Sequence, residues 1–177
     1  MEEKSRIIFS TPISLEKNVK KNEKKIPHTT KDFKEMSKAT LEAANDIEDI
    51  ITVYLNNNYK FMANKGIIAY MFFAIELYLK SIIYLEENVP ANKINGHDLF
   101  VLFSLISLET KDEIEQLCYL YSPHKNYADF NKELEHIKDG FEILRYFYEY
   151  NGLSYNASYV FGLLNAVKEI ANKQIKE

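Results

Sequence analysis

The chain has 177 residues, 46% of them hydrophobic, a formal net charge of -4 and one cysteine. That length suits one domain with a core of several helices, while the charge offers nucleic acid or an anionic membrane no global attraction. Cys118 alone leaves neither a disulfide frame nor a metal-type cysteine spacing, and five Gly with four Pro punctuate too little for the turns of an all-β fold.

The opening residues MEEKSRIIFS lack the long apolar core of a secretory signal, so a cytoplasmic location is expected. Residues 1–30 read as a basic arm or linker. RIIFSTPISL fits one short extended piece, followed by Lys17, Lys20, Lys21, Lys24 and Lys25, diluted by Glu16 and Glu23. A lysine run can track phosphates by releasing counterions. A run this polar buries too little surface to fold, however, and the solvated linker is the favoured reading.

A first long helix is expected from Thr29-Thr30, where a hydroxyl caps backbone N–H groups and Asp32 favours the positive helix end. Its stripe is Met36, Thr40, Ala43, Ala44, Ile47, Ile50, Ile51 and Tyr54. The second helix is the centre of the design. From Ile67 to Leu79 only Glu76 is charged, which marks either a membrane span or the central helix of a bundle. A run of that length, carrying Glu76 and followed by Lys80, falls short of the roughly 20 apolar residues a span needs. It is expected to end near Glu87, before a loop with Pro90 and Asn95-Gly96.

A third helix is expected from His97-Asp98, with a restart at the capping-box pattern Thr110-Lys-Asp-Glu113 and an end at Ser122-Pro123. Tyr127, Phe130, Leu134, Ile137, Phe141, Leu144 and Tyr148 alternate spacings of three and four, which predicts one continuous fourth helix closed by Asn151-Gly152. A fifth runs from about Tyr155 to Lys173 with Val160, Leu163, Leu164, Val167 and Ile170 inward. The expected fold is all-α: an antiparallel up-and-down bundle of about five helices over residues 31–177, preceded by an extended arm.

Chemical motifs are sparse. There is no glycine-rich phosphate loop, HExxH or nucleophile elbow, and His28, His97, His124 and His136 form no i, i+4 pair, so no metal or cofactor is expected. What remains is a set of polar groups in apolar surroundings: Glu76 with Lys80, His97-Asp98, and Arg145 with Glu149. Buried charges need partners, so a structural network is favoured over a ligand or catalytic pocket built from the same residues. Tyrosines crowd the second half at Tyr119, Tyr121, Tyr127, Tyr146, Tyr148, Tyr150, Tyr155 and Tyr159. Those outside the core suit a protein interface better than base stacking, because few basic residues accompany them.

AIELYLKSIIYL, then GHDLFVLF, and later FEILRYFYE resemble bacterial members of the HEPN superfamily of helical domains, over roughly Thr40 to Tyr150. The resemblance implies an antiparallel helical bundle, frequent homodimerisation, and roles in RNA cleavage, toxin–antitoxin pairs or phage defence. The family's ribonucleases carry Arg, then four to six residues, then His. Here Arg145 is followed at those positions by Tyr150, Asn151 and Gly152, and Arg6 by Thr11, Pro12 and Ile13. Metal-independent RNA cleavage needs a base and an acid, and histidine suits both near neutral pH. The expectation is therefore a non-catalytic HEPN-like module, not membrane-bound, that forms a homodimer and binds a partner, whether protein, nucleotide or RNA. The alternative is a metal-independent ribonuclease with a displaced site at His97, with Arg145 stabilising phosphate charge.

Overall fold

A computed structural model describes residues 27, 29–57, 65–86, 90, 93–124, 129–146 and 154–176. Seven helices and no strand occur among the described residues: α1 Thr30–Asn57, α2 Lys65–Glu86, α3 Leu99–Ser104, α4 Leu108–Tyr121, α5 Phe130–Ile137, α6 Gly140–Arg145 and α7 Ala157–Gln174. The fold is an all-α bundle. Four helices of 14 residues or more, α1, α2, α4 and α7, make its frame. The expected extended piece and lysine run before residue 27 lie outside the described residues.

α1 starts where its cap chemistry places it. Thr29 Oγ1 accepts from Asp32 N at 3.2 Å while Thr29 N donates to Asp32 Oδ2 at 3.1 Å, a reciprocal satisfaction of two end donors. α1 and α2 run antiparallel, since Ser37 meets Ser81 near one end and Asn45 and Glu48 meet Tyr78 further along. The inward stripe differs slightly from the expected one. Ser37 and Leu41 are buried, whereas Ala43 is exposed and Ile50 is 51% exposed. The two buried serines are polar and escape a hydrophobic count, yet each hydroxyl donates to the other residue's carbonyl, at 2.9 and 3.1 Å. Two small side chains with no unpaired polar atom let the helix backbones come close.

α2 is buried nearly all round, with Phe72, Ala74, Ile75, Tyr78, Leu79, Ile82 and Ile83 fully inside. By length and composition Gly66–Glu86 could cross a membrane, but 67% of its most apolar window is buried within the bundle, as a central core helix requires.

α4 and α7 are also antiparallel, because Cys118 faces Tyr159 while Glu113 faces Lys173. Gly162 sits at their crossing. A Cβ there would lie 2.5 Å from the Cys118 carbonyl oxygen and 2.3 Å from Ser122 Oγ.

Two expected boundaries move. α4 begins at Leu108, not at Thr110: Ser107 is the N-cap and its hydroxyl accepts from Thr110 N at 3.3 Å. The carboxylate that answers the cap comes from α2, where Glu86 accepts from Ser107 N at 2.7 Å and from Ser107 Oγ at 2.9 Å. The expected continuous fourth helix is broken at Lys138-Asp139 into α5 and α6. The Lys138 carbonyl turns aside to accept from Leu99 N at 3.0 Å, which ties the break to the first residue of α3. Phe130, Leu134, Ile137 and Leu144 stay buried across the break, so the periodicity carries no trace of it. Tyr127, Tyr148 and Asn151-Gly152 lie outside the described residues.

Two measurements check this packing. Gly162→Ala should lower unfolding stability by about 1–3 kcal/mol in denaturant titrations despite the better helix propensity of Ala, because the added carbon meets backbone. The second concerns Tyr78, whose phenol is pushed well above its ordinary value by burial and then by its bond to Glu48. The folded chain holds this proton longer than the unfolded chain. The resulting stability is complete below about pH 10 and is lost as pH rises beyond it. Tyr78→Phe should flatten that alkaline loss in a pH series of denaturation curves.

Candidate functional site

Glu76 is 1% exposed in the most apolar helix of the chain, so its charge needs partners inside the fold. Lys80, one turn later on α2, brings Nζ to 2.6 Å from Glu76 Oε1. His97 supplies the second partner, with Nδ1 at 3.0 and 2.9 Å from the two carboxylate oxygens. Facing two acceptors, Nδ1 carries the ring proton and donates it.

The approach to α3 is built to deliver that ring. Gly96 has φ 101°, a left-handed conformation that glycine adopts without steric cost. Asp98 then caps α3 by accepting from Val101 N at 2.9 Å. The His97 ring rests near Phe141, centroids 5.9 Å apart, and Phe141 stacks on Phe73 of α2 at 4.7 Å and 15°.

Of the six polar residues expected to meet, three do: Glu76, Lys80 and His97. Asp98 acts on α3 as its cap. Arg145 does not join them. Its guanidinium lies 5.7 Å from the Phe141 centroid and 4.5 Å from the Tyr146 centroid, and Nη2 donates to Tyr146 Oη at 2.8 Å. Stacking on two rings at an exposed position satisfies a guanidinium without a carboxylate. Glu149 lies outside the described residues.

The Glu76–His97 pair has one chemical property beyond cohesion. The ring is fixed through Nδ1 and its side chain is 46% exposed, so solvent reaches part of a carboxylate-oriented imidazole. Such a dyad can move a proton, although Lys80 already neutralises the carboxylate.

The tyrosine surface expected on the later helices shrinks. Tyr159 is fully buried and donates to the Phe130 carbonyl, Tyr155 is half-buried against Phe72, and Tyr121 donates to Glu169. Tyr119 is 50% exposed. The exposed apolar surface of α4 is instead Leu108, Tyr119 and Leu120.

Sequence reasoning missed two other polar groupings. Glu48 accepts from Tyr78 Oη at 2.8 Å and from Lys168 Nζ at 2.6 Å, joining α1, α2 and α7. The i, i+4 bookkeeping applied to α2 cannot find partners 30 and 120 residues apart. The second is a cleft of about 550 Å³ that brings His124, Glu133 and His136 together with the residues leading into α7. Among the described residues, no three His, Cys, Asp or Glu side chains are placed to hold a metal ion.

Comparison with protein-family models, curated proteins and solved structures finds no match to this chain.

Lys80→Met strands the Glu76 carboxylate with a single partner and should cost about 3 kcal/mol in denaturant unfolding. The double variant Glu76→Met/Lys80→Met removes both charges and should be markedly less destabilised than Lys80→Met alone. Equal losses would mean that the pair is not coupled.

Proposed function

We propose that this chain is a non-catalytic HEPN-like helical module that forms a homodimer and binds a partner in a bacterial defence or toxin–antitoxin setting. The observation that carries the non-catalytic reading is the internal use of Glu76. Both of its oxygens are spent on Lys80 and His97 inside the fold, and Arg145 stacks on Phe141 and Tyr146 and donates to Tyr146 Oη, not to Glu76. The arrangement works as a clamp between α2 and the entry to α3. Exposed Leu108, Tyr119 and Leu120 on α4 favour a protein surface as the thing bound, since apolar and aromatic side chains concentrate at interface cores.

A second reading, a metal-independent ribonuclease with a displaced site at His97 and Arg145, draws on one feature: a partly exposed imidazole oriented by Glu76. It also needs a second acid or base, which no contact among the described residues supplies, and each such group is commonly worth about 10²–10⁴ in rate.

The test pairs sedimentation with RNA incubation in the absence of metal. A dimer in solution, with no cleavage by wild type or by His97→Ala, is the expected result. Cleavage by wild type that a folded His97→Ala protein lacks would overturn the non-catalytic reading and establish the displaced site. A monomer would remove the dimer from the proposal.

A further inference from the structure

The cleft between the α4–α5 connection, α5 and the start of α7 holds an unusual set of side chains. His124 and His136 make no side-chain hydrogen bond or ion pair among the described residues, and both are exposed. Ser154 and Tyr155 line the same cleft, and neither hydroxyl is engaged among the described residues. Four side chains with uncommitted N–H or O–H groups therefore line one space, together with one carboxylate, Glu133, one turn before His136 on α5. Burial raises the Tyr155 phenol above its ordinary value, so it stays protonated and able to donate.

The backbone around the cleft is already satisfied. Asn156 Oδ1 accepts from Ser158 N at 3.1 Å and from Tyr159 N at 3.2 Å, and Ser158 Oγ accepts from His124 N at 3.0 Å. Capping thus occupies the Ser158 and Tyr159 N–H groups of the first turn of α7, and recognition falls mainly to the side chains. The Tyr155 ring is fixed edge-on against Phe72, centroids 6.1 Å apart at 84°. The cleft volume of about 550 Å³ falls within the roughly 300–1,000 Å³ of small-molecule sites.

We infer that this cleft binds a small phosphate monoester, its phosphate oxygens accepting from His124, His136, Ser154 and Tyr155. Each of these imidazoles and hydroxyls can turn a donor toward an acceptor-rich ligand. A phosphate group presents three strong acceptor oxygens and a charge that strengthens each bond. Glu133 is the one unfavourable neighbour, and it provides a sign for the test. The site is separate from Glu76 and stands whether or not the chain dimerises.

Calorimetric titration of the full chain with phenyl phosphate, inorganic phosphate and phenol decides the matter. Phenyl phosphate should bind and phenol should not. Inorganic phosphate binding as tightly as phenyl phosphate would assign recognition to the phosphate group alone, and weaker binding would assign a share to the organic body. His124→Ala/His136→Ala, with its fold checked by circular dichroism, should weaken phenyl phosphate at least about ten-fold, as loss of charge-assisted bonds requires. Glu133→Gln should tighten it several-fold by removing like charge, a change of sign that loss of structure cannot imitate. No binding of phenyl phosphate at millimolar concentration, equal binding of phenol, or unchanged binding in the double variant would overturn the inference. So would a Glu133→Gln protein that binds no more tightly than wild type.

Discussion

The structure depends on a charge placed where charge is least welcome. Glu76 lies within the helix that α1, α3, α6 and α7 pack against, and the cost of burying it is offset only by partners held at hydrogen-bonding distance. Lys80 comes from the same helix and adds no long-range order. His97 does, since reaching Glu76 requires the left-handed turn at Gly96 and the immediate start of α3 at Leu99. That start in turn takes the Lys138 carbonyl and divides α5 from α6. A single carboxylate therefore sets the position of elements that lie far from it in sequence.

The remaining order comes from close approaches that small residues permit. Ser37 and Ser81 seam α1 to α2, and Gly140 lets α6 begin against the face of Phe72, where a Cβ would lie 2.9 Å from the ring. Both seams press on α2 from different sides, leaving little room for it to rotate or slide. Lys168, reaching from α7 to Glu48 on α1, closes the circuit around it.

Much of this is legible in the sequence. The all-α class followed from stripes at helical spacing, and α2 was recognisable as the core helix because its apolar residues lie on every side. The start of α1 was readable because Thr29 and Asp32 are three residues apart, close enough for local chemistry to decide. Glu76 with Lys80 was found for the same reason. The break at Lys138 was not readable, because it arises from a backbone carbonyl diverted to another helix while the stripe runs on undisturbed. The cap of α4 was misplaced by three residues because its answering carboxylate is Glu86, on α2. Charge alone groups Arg145 with the carboxylates, whereas in the fold it stacks on Phe141 and Tyr146. The histidine cleft leaves no mark in the sequence, since His124 and His136 follow no motif spacing and share a cleft only beside the residues leading into α7.

Glu86 and Ser107 are 21 residues apart, and so are Glu76 and His97. The two carboxylates are ten positions apart on α2, about 15 Å of helix rise, and their partners are ten positions apart in the segment that follows. α2 thus behaves as a ruler with two marks, against which the next stretch of chain is measured. The segment after the connection is therefore placed by two buried or half-buried carboxylates a fixed helix rise apart, which sets its direction along α2 as well as its distance from it.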